Sequence, residues 1–308
     1  MLRFLLHRGG QAVIAAFGVV TLVFFIQRLT GDATALLLPE TATQADIEAM
    51  RVTLGLDRAL WVQFLDFLGD MTRFDLGRSF VQNAPAWDII ASRIPQTLQL
   101  AAGALAVALL IGLPLGLLMA LTRGRAVSRW IMGLVLACQS MPTFWSGIMM
   151  IMVFGVWLRW LPSSGTGTLA HLVMPSVALG LLSLATYARI ARSAVVDELS
   201  KDYVRSARAR GVGTGRLVSH HLTRNSLIPI ITITALEISQ LLAGAVIVET
   251  VFAWPGLGLL TVQSIAARDF VIVQAVVLLG AFVTIAANLL ADILYSIIDP
   301  RVRLAGKP

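Results

Sequence analysis

Apolar positions fall in long blocks separated by short polar stretches. Residues 9–27 form the first block, 19 positions without a charge, enough helix to cross a bilayer. Comparable blocks cover residues 97–121, 130–157, 171–190, 228–251 and 270–294. Apolar runs this long predict helices rather than strands, so the pattern predicts an all-α polytopic membrane protein with six transmembrane helices. A cleaved leader has an apolar core of about 7–15 residues, so the first block reads as a retained helix. Pro114 predicts a kink in the second block. Trp130 and Trp157 bracket the third block, 27 residues apart. That is about 40 Å of helix at 1.5 Å per residue, which puts each indole at a bilayer interface. Gln139-Ser140-Met141-Pro142 interrupts this helix, and Pro142 leaves carbonyls that need other partners.

The polar stretches set the topology. Between residues 29 and 94 there are nine acids and five bases, and the segment reads as external. Within it, Leu60, Trp61, Phe64, Leu65, Phe67, Leu68 and Met71 recur at helical spacing, which predicts a helix with one apolar stripe against the membrane-facing core. Between residues 189 and 224 there are eight bases and three acids, the mark of a cytoplasmic loop. Six spans then put both termini in the cytoplasm. The chain divides into an N-terminal helix (residues 1–28), an external segment (29–94) and a five-helix core (95–308) that carries a cytoplasmic loop at 193–227.

That loop holds the most informative stretch, residues 202–229. It reads as two short helices around a turn. Asp202 suits the first turn of the first helix, Gly211 ends that helix in a left-handed conformation, and Pro229 suits the first turn of the next span. At 3.6 residues per turn, Tyr203, Ser206, Ala207 and Arg210 share one face, mostly small. Such a face fits a groove on another protein, and a solvated basic loop is the plainer alternative.

The run Tyr203-Val204-Arg205-Ser206-Ala207-Arg208-Ala209-Arg210-Gly211, followed by Arg224-Asn225 and Leu227-Ile228-Pro229, resembles the "EAA" loop of ABC importer permeases, closest to the dipeptide, oligopeptide and nickel branch. Ser206 and Ala207 stand at the motif's two alanines and Gly211 at its glycine. The motif's glutamate position is Arg205, and the distance from glycine to proline is longer than in the general motif. Both departures are usual in the peptide branch. Residues 249–258 (ETVFAWPGLG) resemble that branch's external signature. Leu54-Gly55-Leu56-Asp57, Asp75-Leu76-Gly77-Arg78-Ser79-Phe80 and the tail Asp299-Pro300-Arg301-Val302-Arg303 also resemble it, so the likeness covers nearly the whole chain.

The resemblance implies a type I importer-permease bundle with a long external insertion after the first helix, in a bacterial inner membrane. It implies a permease subunit that moves di- or oligopeptides by alternating access. The implied partners are a paralogous permease, two ATPase subunits and an external solute-binding protein, with membrane lipid around the spans. In the family the EAA loop is the coupling helix that docks on the ATPase, which assigns that role to Tyr203, Ser206, Ala207, Arg208, Arg210 and Gly211. Gly211→Pro or Ala207→Glu is then expected to uncouple ATP hydrolysis from uptake while leaving insertion intact. The same machine for a nickel chelate or another small solute is one alternative; an ion-coupled secondary transporter acting alone is another.

Composition agrees with the membrane reading. The 308 residues are 57% hydrophobic and only 13% charged, against about 25% charged in soluble domains. Cytoplasmic loops account for the net charge of +7, so it does not indicate nucleic acid. No GxxxxGK[ST] phosphate loop occurs, and the glycines of residues 211–216 lack its lysine. The chain is therefore expected to bind no cofactor and to be no enzyme itself, with ATP and Mg on the partner ATPases. The single Cys138 excludes an intrachain disulfide.

Glu237 is the one carboxylate well inside a span, with Thr234 and Gln240 one turn away on either side. A charge there costs about 2.5–3.5 kcal/mol on insertion scales, so it must face a cavity, a partner or a proton. The stripe suits a translocation path; a hydrogen-bonded contact between helices and a protonated carboxyl are the alternatives. Asp292 reads as an interfacial acid. His220 and His221 point about 100° apart on a helix and suit a solvated pair better than a metal site. Met149, Met150 and Met152 suit packing or lipid better than a metal cargo. His171 near Ser163 and Ser164 is the nearest approach to a catalytic set, and it is weak.

Overall fold

The computed structural model describes residues 2–30, 43–53, 55–217 and 223–298. They divide into two compact units, residues 1–95 with 256–289, and residues 96–255 with 290–308.

In the first unit, α1 (Leu2–Thr30) is followed by α2 (Gln44–Thr53) and α3 (Leu60–Thr72). The apolar stripe of α3 splits. Phe67, Leu68 and Met71 pack with the buried Val20 and Val23 of α1, while Leu60, Trp61 and Leu65 remain exposed. Phe24 of α1 is the anchor: its ring meets Phe64 at 5.2 Å and Phe67 at 5.6 Å, edge-to-face and tilted geometries that aromatic pairs prefer. A short hairpin follows, β1 (Arg78–Ser79) paired antiparallel with β2 (Ala84–Pro85).

Next comes α4 (Ala86–Leu121), which starts well before Thr97 and runs on through Pro114 into the second unit. Its first turns, with Ala86 and Ile90 fully buried, pack against Leu260 of α11 (Leu257–Ala266) and Ile272 and Ala275 of α12 (Phe270–Ile298). Asp269 caps α12: its carboxylate accepts from the Ile272 N–H at 3.4 Å and from the Ser79 hydroxyl at 2.5 Å. The hairpin is thereby pinned to the start of that helix.

The second unit contains α5 (Ala126–Ser140), α6 (Thr143–Met150) with a π turn at Ile151–Trp157, α7 (Leu169–Leu199), α8 (Asp202–Ala209), α9 (Thr214–Leu217) and α10 (Thr223–Val251). The helix expected between Trp130 and Trp157 is interrupted at Gln139–Pro142, as the sequence predicts, and the break is sharp. The chain bends by 99° between α5 and α6. Met141 precedes Pro142 and takes an extended conformation (φ −76°, ψ 129°), as the proline ring requires, so the helix stops and restarts. Pro229 lies well inside α10, which begins at Thr223, and not in its first turn.

At the centre lies α7, with residues from Met174 to Glu198 buried along it. It packs closely on α4. A Cβ on Gly116 would stand 2.5 Å from the Ala188 carbonyl oxygen and 2.6 Å from the Ala191 Cβ; one on Gly180 would stand 2.7 Å from the Ala104 carbonyl oxygen. Small residues at these points let the two backbones approach, the usual way helices associate in lipid. Around Leu100, Met174, Leu179, Leu241 and Phe252, α4, α7 and α10 share an apolar core.

Among the described residues, four helices are long and apolar enough to cross a membrane (Leu6–Ile26, Ala86–Leu121, Leu169–Leu199, Phe270–Ile293), and the bent pair α5–α6 makes up to five. The expected fifth span lies on α10, 29 residues long. Val13, Ile14, Leu110, Leu134 and Val277 are exposed on these helices. Apolar surface left open at this scale belongs against lipid.

Candidate functional site

Two residues, Ser200 and Lys201, separate the end of α7 from α8. The residues expected to share one docking face of α8 do not all point the same way. Ala207 is only 4% exposed and turns inward with Val204, packing with Ala120, Val195 and Leu217. Tyr203 is half-buried in the same cluster. Asp202, Arg205, Ser206 and Arg210 are exposed and form the open face. The stripe was drawn from helical periodicity alone, which cannot tell which side a short helix gives to its own chain. The apolar Val204 decides it, because burying Val204 brings Tyr203 and Ala207 round with it.

Gly211, two residues past the end of α8, adopts φ +80°, the left-handed region. The Val212 N–H reaches back to the Ala207 carbonyl at 3.2 Å, closing the helix end. Arg208 belongs to α8; its side chain, like His220 and His221, lies outside what the structure describes.

The elbow between α7 and α8 is built on a residue the sequence reading passed over as a loop acid. Glu198 is buried, 7% exposed, and accepts a hydrogen bond from the Tyr203 hydroxyl at 2.6 Å and an ion pair from the Lys201 ammonium. Bonding to Glu198 raises the Lys201 pKa above its ordinary value. The signal available in sequence was the spacing of Glu198, Lys201 and Tyr203 across a helix end. By contrast, Arg205 and Asp202 approach to 3.8 Å on the exposed face, 81% and 95% open, where such a pair contributes little.

The expected path residues are placed differently from one another. Glu237 is 5% exposed and accepts from the Ser183 hydroxyl of α7. Thr234 accepts from the Tyr187 hydroxyl at 3.1 Å and donates to the Ile230 carbonyl at 2.8 Å. Gln240 is exposed. The Thr234 and Glu237 geometry is that of polar rungs between α7 and α10, the interhelical alternative of the three; their partners Ser183 and Tyr187 read as ordinary span residues in sequence. Asp292 is half-buried on α12.

At the other end of α10, Glu249 is fully buried and accepts from the Thr97 hydroxyl at 2.6 Å. Trp254 is 2% exposed, and its indole N–H donates to the Gln96 carbonyl at 2.9 Å. Residues 249–254, singled out by sequence as part of a signature, thus lock the end of α10 onto α4. His171 lies in the first turn of α7. Its Nδ1 sits 2.9 Å from the Thr168 hydroxyl and accepts from the Thr168 N–H, capping α7. Met150 packs in the core and Met152 is exposed. Among the described residues no group of three or more His, Cys, Asp or Glu side chains could hold a metal.

Residues 112–304 match the family described as binding-protein-dependent transport system inner membrane component, and residues 1–101 match its N-terminal companion. The chain is 37% identical to the di/tripeptide transport system permease protein DppB of Pseudomonas aeruginosa, over 98% of this chain and 99% of that one. It is 34% identical to the dipeptide transport system permease protein DppB of Escherichia coli K12, with the same coverage. Among solved structures, a chain of the inward-facing MetNI methionine ABC transporter superposes with a TM-score of 0.54, at 21% identity, over 71% of this chain and 97% of that one. That likeness concerns the fold, a type I importer-permease bundle. With both of its parts matched and relatives similar along almost their whole length, the chain belongs to the binding-protein-dependent inner-membrane permeases of ABC importers.

Proposed function

We propose that this permease moves di- or oligopeptides, delivered by an external solute-binding protein, by alternating access driven by separate ATPases. The observation that carries the cargo reading is the 37% identity to a di/tripeptide permease over 98% of the chain. ATP and Mg are bound and used on two ATPase subunits, and a paralogous permease completes the membrane part. The basic loop at residues 189–224 faces the cytoplasm, as do both termini, because cationic loops stay on that side.

In this reading the open face of α8, with Arg205, Ser206 and Arg210, sits in a cleft of the ATPase, and Tyr203 and Ala207 hold α8 to its own chain. Closure of the ATPases on ATP moves α8, and α7 and α10 move with it. Docking that is equally tight in inward-open and outward-open states would shift nothing; the ATPase must hold α8 differently in the two.

Uptake by the reconstituted complex tests the function. Labelled dipeptide should enter proteoliposomes only with ATP, the ATPases and the binding protein together. Uptake of a nickel chelate in place of dipeptide would contradict the cargo reading. Uptake by this chain alone under an ion gradient would contradict the importer reading.

A further inference from the structure

A carboxylate in the last turn of a helix opposes the helix dipole, and a buried one needs partners. Glu198 is both: it stands in the last turn of α7 and is 7% exposed. Its position is not explained by the stability of α7, which a neutral or basic residue would serve better. Its bonds point instead to α8. The Tyr203 hydroxyl, in the first turn of α8, donates to Glu198 Oε2 at 2.6 Å, and Lys201 of the linker pairs with Oε1. The Tyr203 bond crosses the elbow from α8 to α7, and the Lys201 pair closes the linker onto the same carboxylate.

The apolar contact beneath the elbow is of another kind. Val204 and Ala207 of α8 pack with Val195 of α7 and Ala120 of α4. Apolar burial is non-directional and lets one helix roll on another. A hydrogen bond from a phenol to a carboxylate is short and directional, and roughly twice as strong as a neutral one. We propose that Glu198 is a positioning residue for energy coupling: it straps α8 to α7, so that force on the open face of α8 turns α7 instead of bending the elbow. This rests on the reading of α8 as the helix that docks on the ATPase. The apolar cluster keeps α8 folded onto the chain, and the strap fixes its angle.

The test uses the assembled importer in proteoliposomes, with ATPases and binding protein, and reads ATP hydrolysed per labelled dipeptide imported. Glu198→Gln keeps the side chain's shape and removes the charge. The variant should co-purify with its ATPases and hydrolyse ATP at the normal basal rate, while its ATP-to-peptide ratio rises about fivefold or more, the low end of a coupling between sites. Tyr203→Phe should raise the ratio too, and the double variant should be no worse than the poorer single one. Ser206→Trp, on the open face, separates the strap from the reading beneath it. A normal ratio in Glu198→Gln, with uptake lost in Ser206→Trp, would overturn the strap and leave α8 as the docking helix. Normal coupling in both would overturn both. Loss of the ATPases on purification of Glu198→Gln would also overturn the strap, since the residue would then serve assembly.

Discussion

The Tyr187 hydroxyl donates to Thr234 Oγ1 at 3.1 Å, tying α7 to α10 halfway along their length. One turn away Ser183 donates to Glu237 on the same pair of helices. The helix before α8 and the long helix after it are therefore joined by two polar rungs. Such bonds within membranes contribute about 0.6 kcal/mol on average, so Tyr187→Phe and Thr234→Val should each lower thermal stability slightly. The double variant should show less than the sum. Melting of the purified permease checks this, and full additivity would mean that the rung does no work.

Glu237→Gln keeps an acceptor for Ser183, and Glu237→Leu does not. As a rung, Glu237 should tolerate glutamine with near-normal uptake, while leucine leaves a buried hydroxyl unpaired at a cost of about 1–3 kcal/mol. Dipeptide uptake and melting of both variants measure this. Complete loss of uptake in the glutamine variant, with normal melting, would favour a proton site instead.

Gly116 faces the Ala188 carbonyl with no room for a side chain. Gly116→Val should push α4 away from α7 and destabilise the second unit by about 1–3 kcal/mol, the usual cost of overpacking. Reduced folded yield in detergent would show it. Gly133, with open space around it, should accept alanine without loss.

Ala207 is buried against its own chain, so Ala207→Glu should unfold α8 as well as impair uptake. Limited proteolysis near residue 207 should increase. Gly211, at φ +80°, should accept alanine at about 1–2 kcal/mol and reject proline, whose ring fixes φ near −65°. Protease sensitivity and uptake, measured together, rank the three variants.

The spans were legible because each apolar block must bury or face lipid, and length alone identifies it. The short helix of residues 202–209 and its end were legible because Asp202 and Gly211 are local features. Three things were not. The 99° bend at Met141–Pro142 depends on how far a helix recovers beyond a proline, which neighbouring packing decides. The inward turn of Ala207 depends in part on Ala120 of α4, distant in sequence. The partners of Glu237 and Glu249 are the hydroxyls of Ser183 and Thr97, and no spacing rule joins residues 54 or 152 positions apart.

The most direct test is a cross-link. In a Cys138→Ser background, Ser206→Cys on the open face of α8 should join to a cysteine in the ATPase cleft, in inverted vesicles carrying the whole complex. Tyr203→Cys, half-buried at the elbow, should cross-link far less. A cross-link at 206 that changes in yield with ATP is the predicted result. A residue 206 that reacts only from the external face, or never meets the ATPase, would contradict the account.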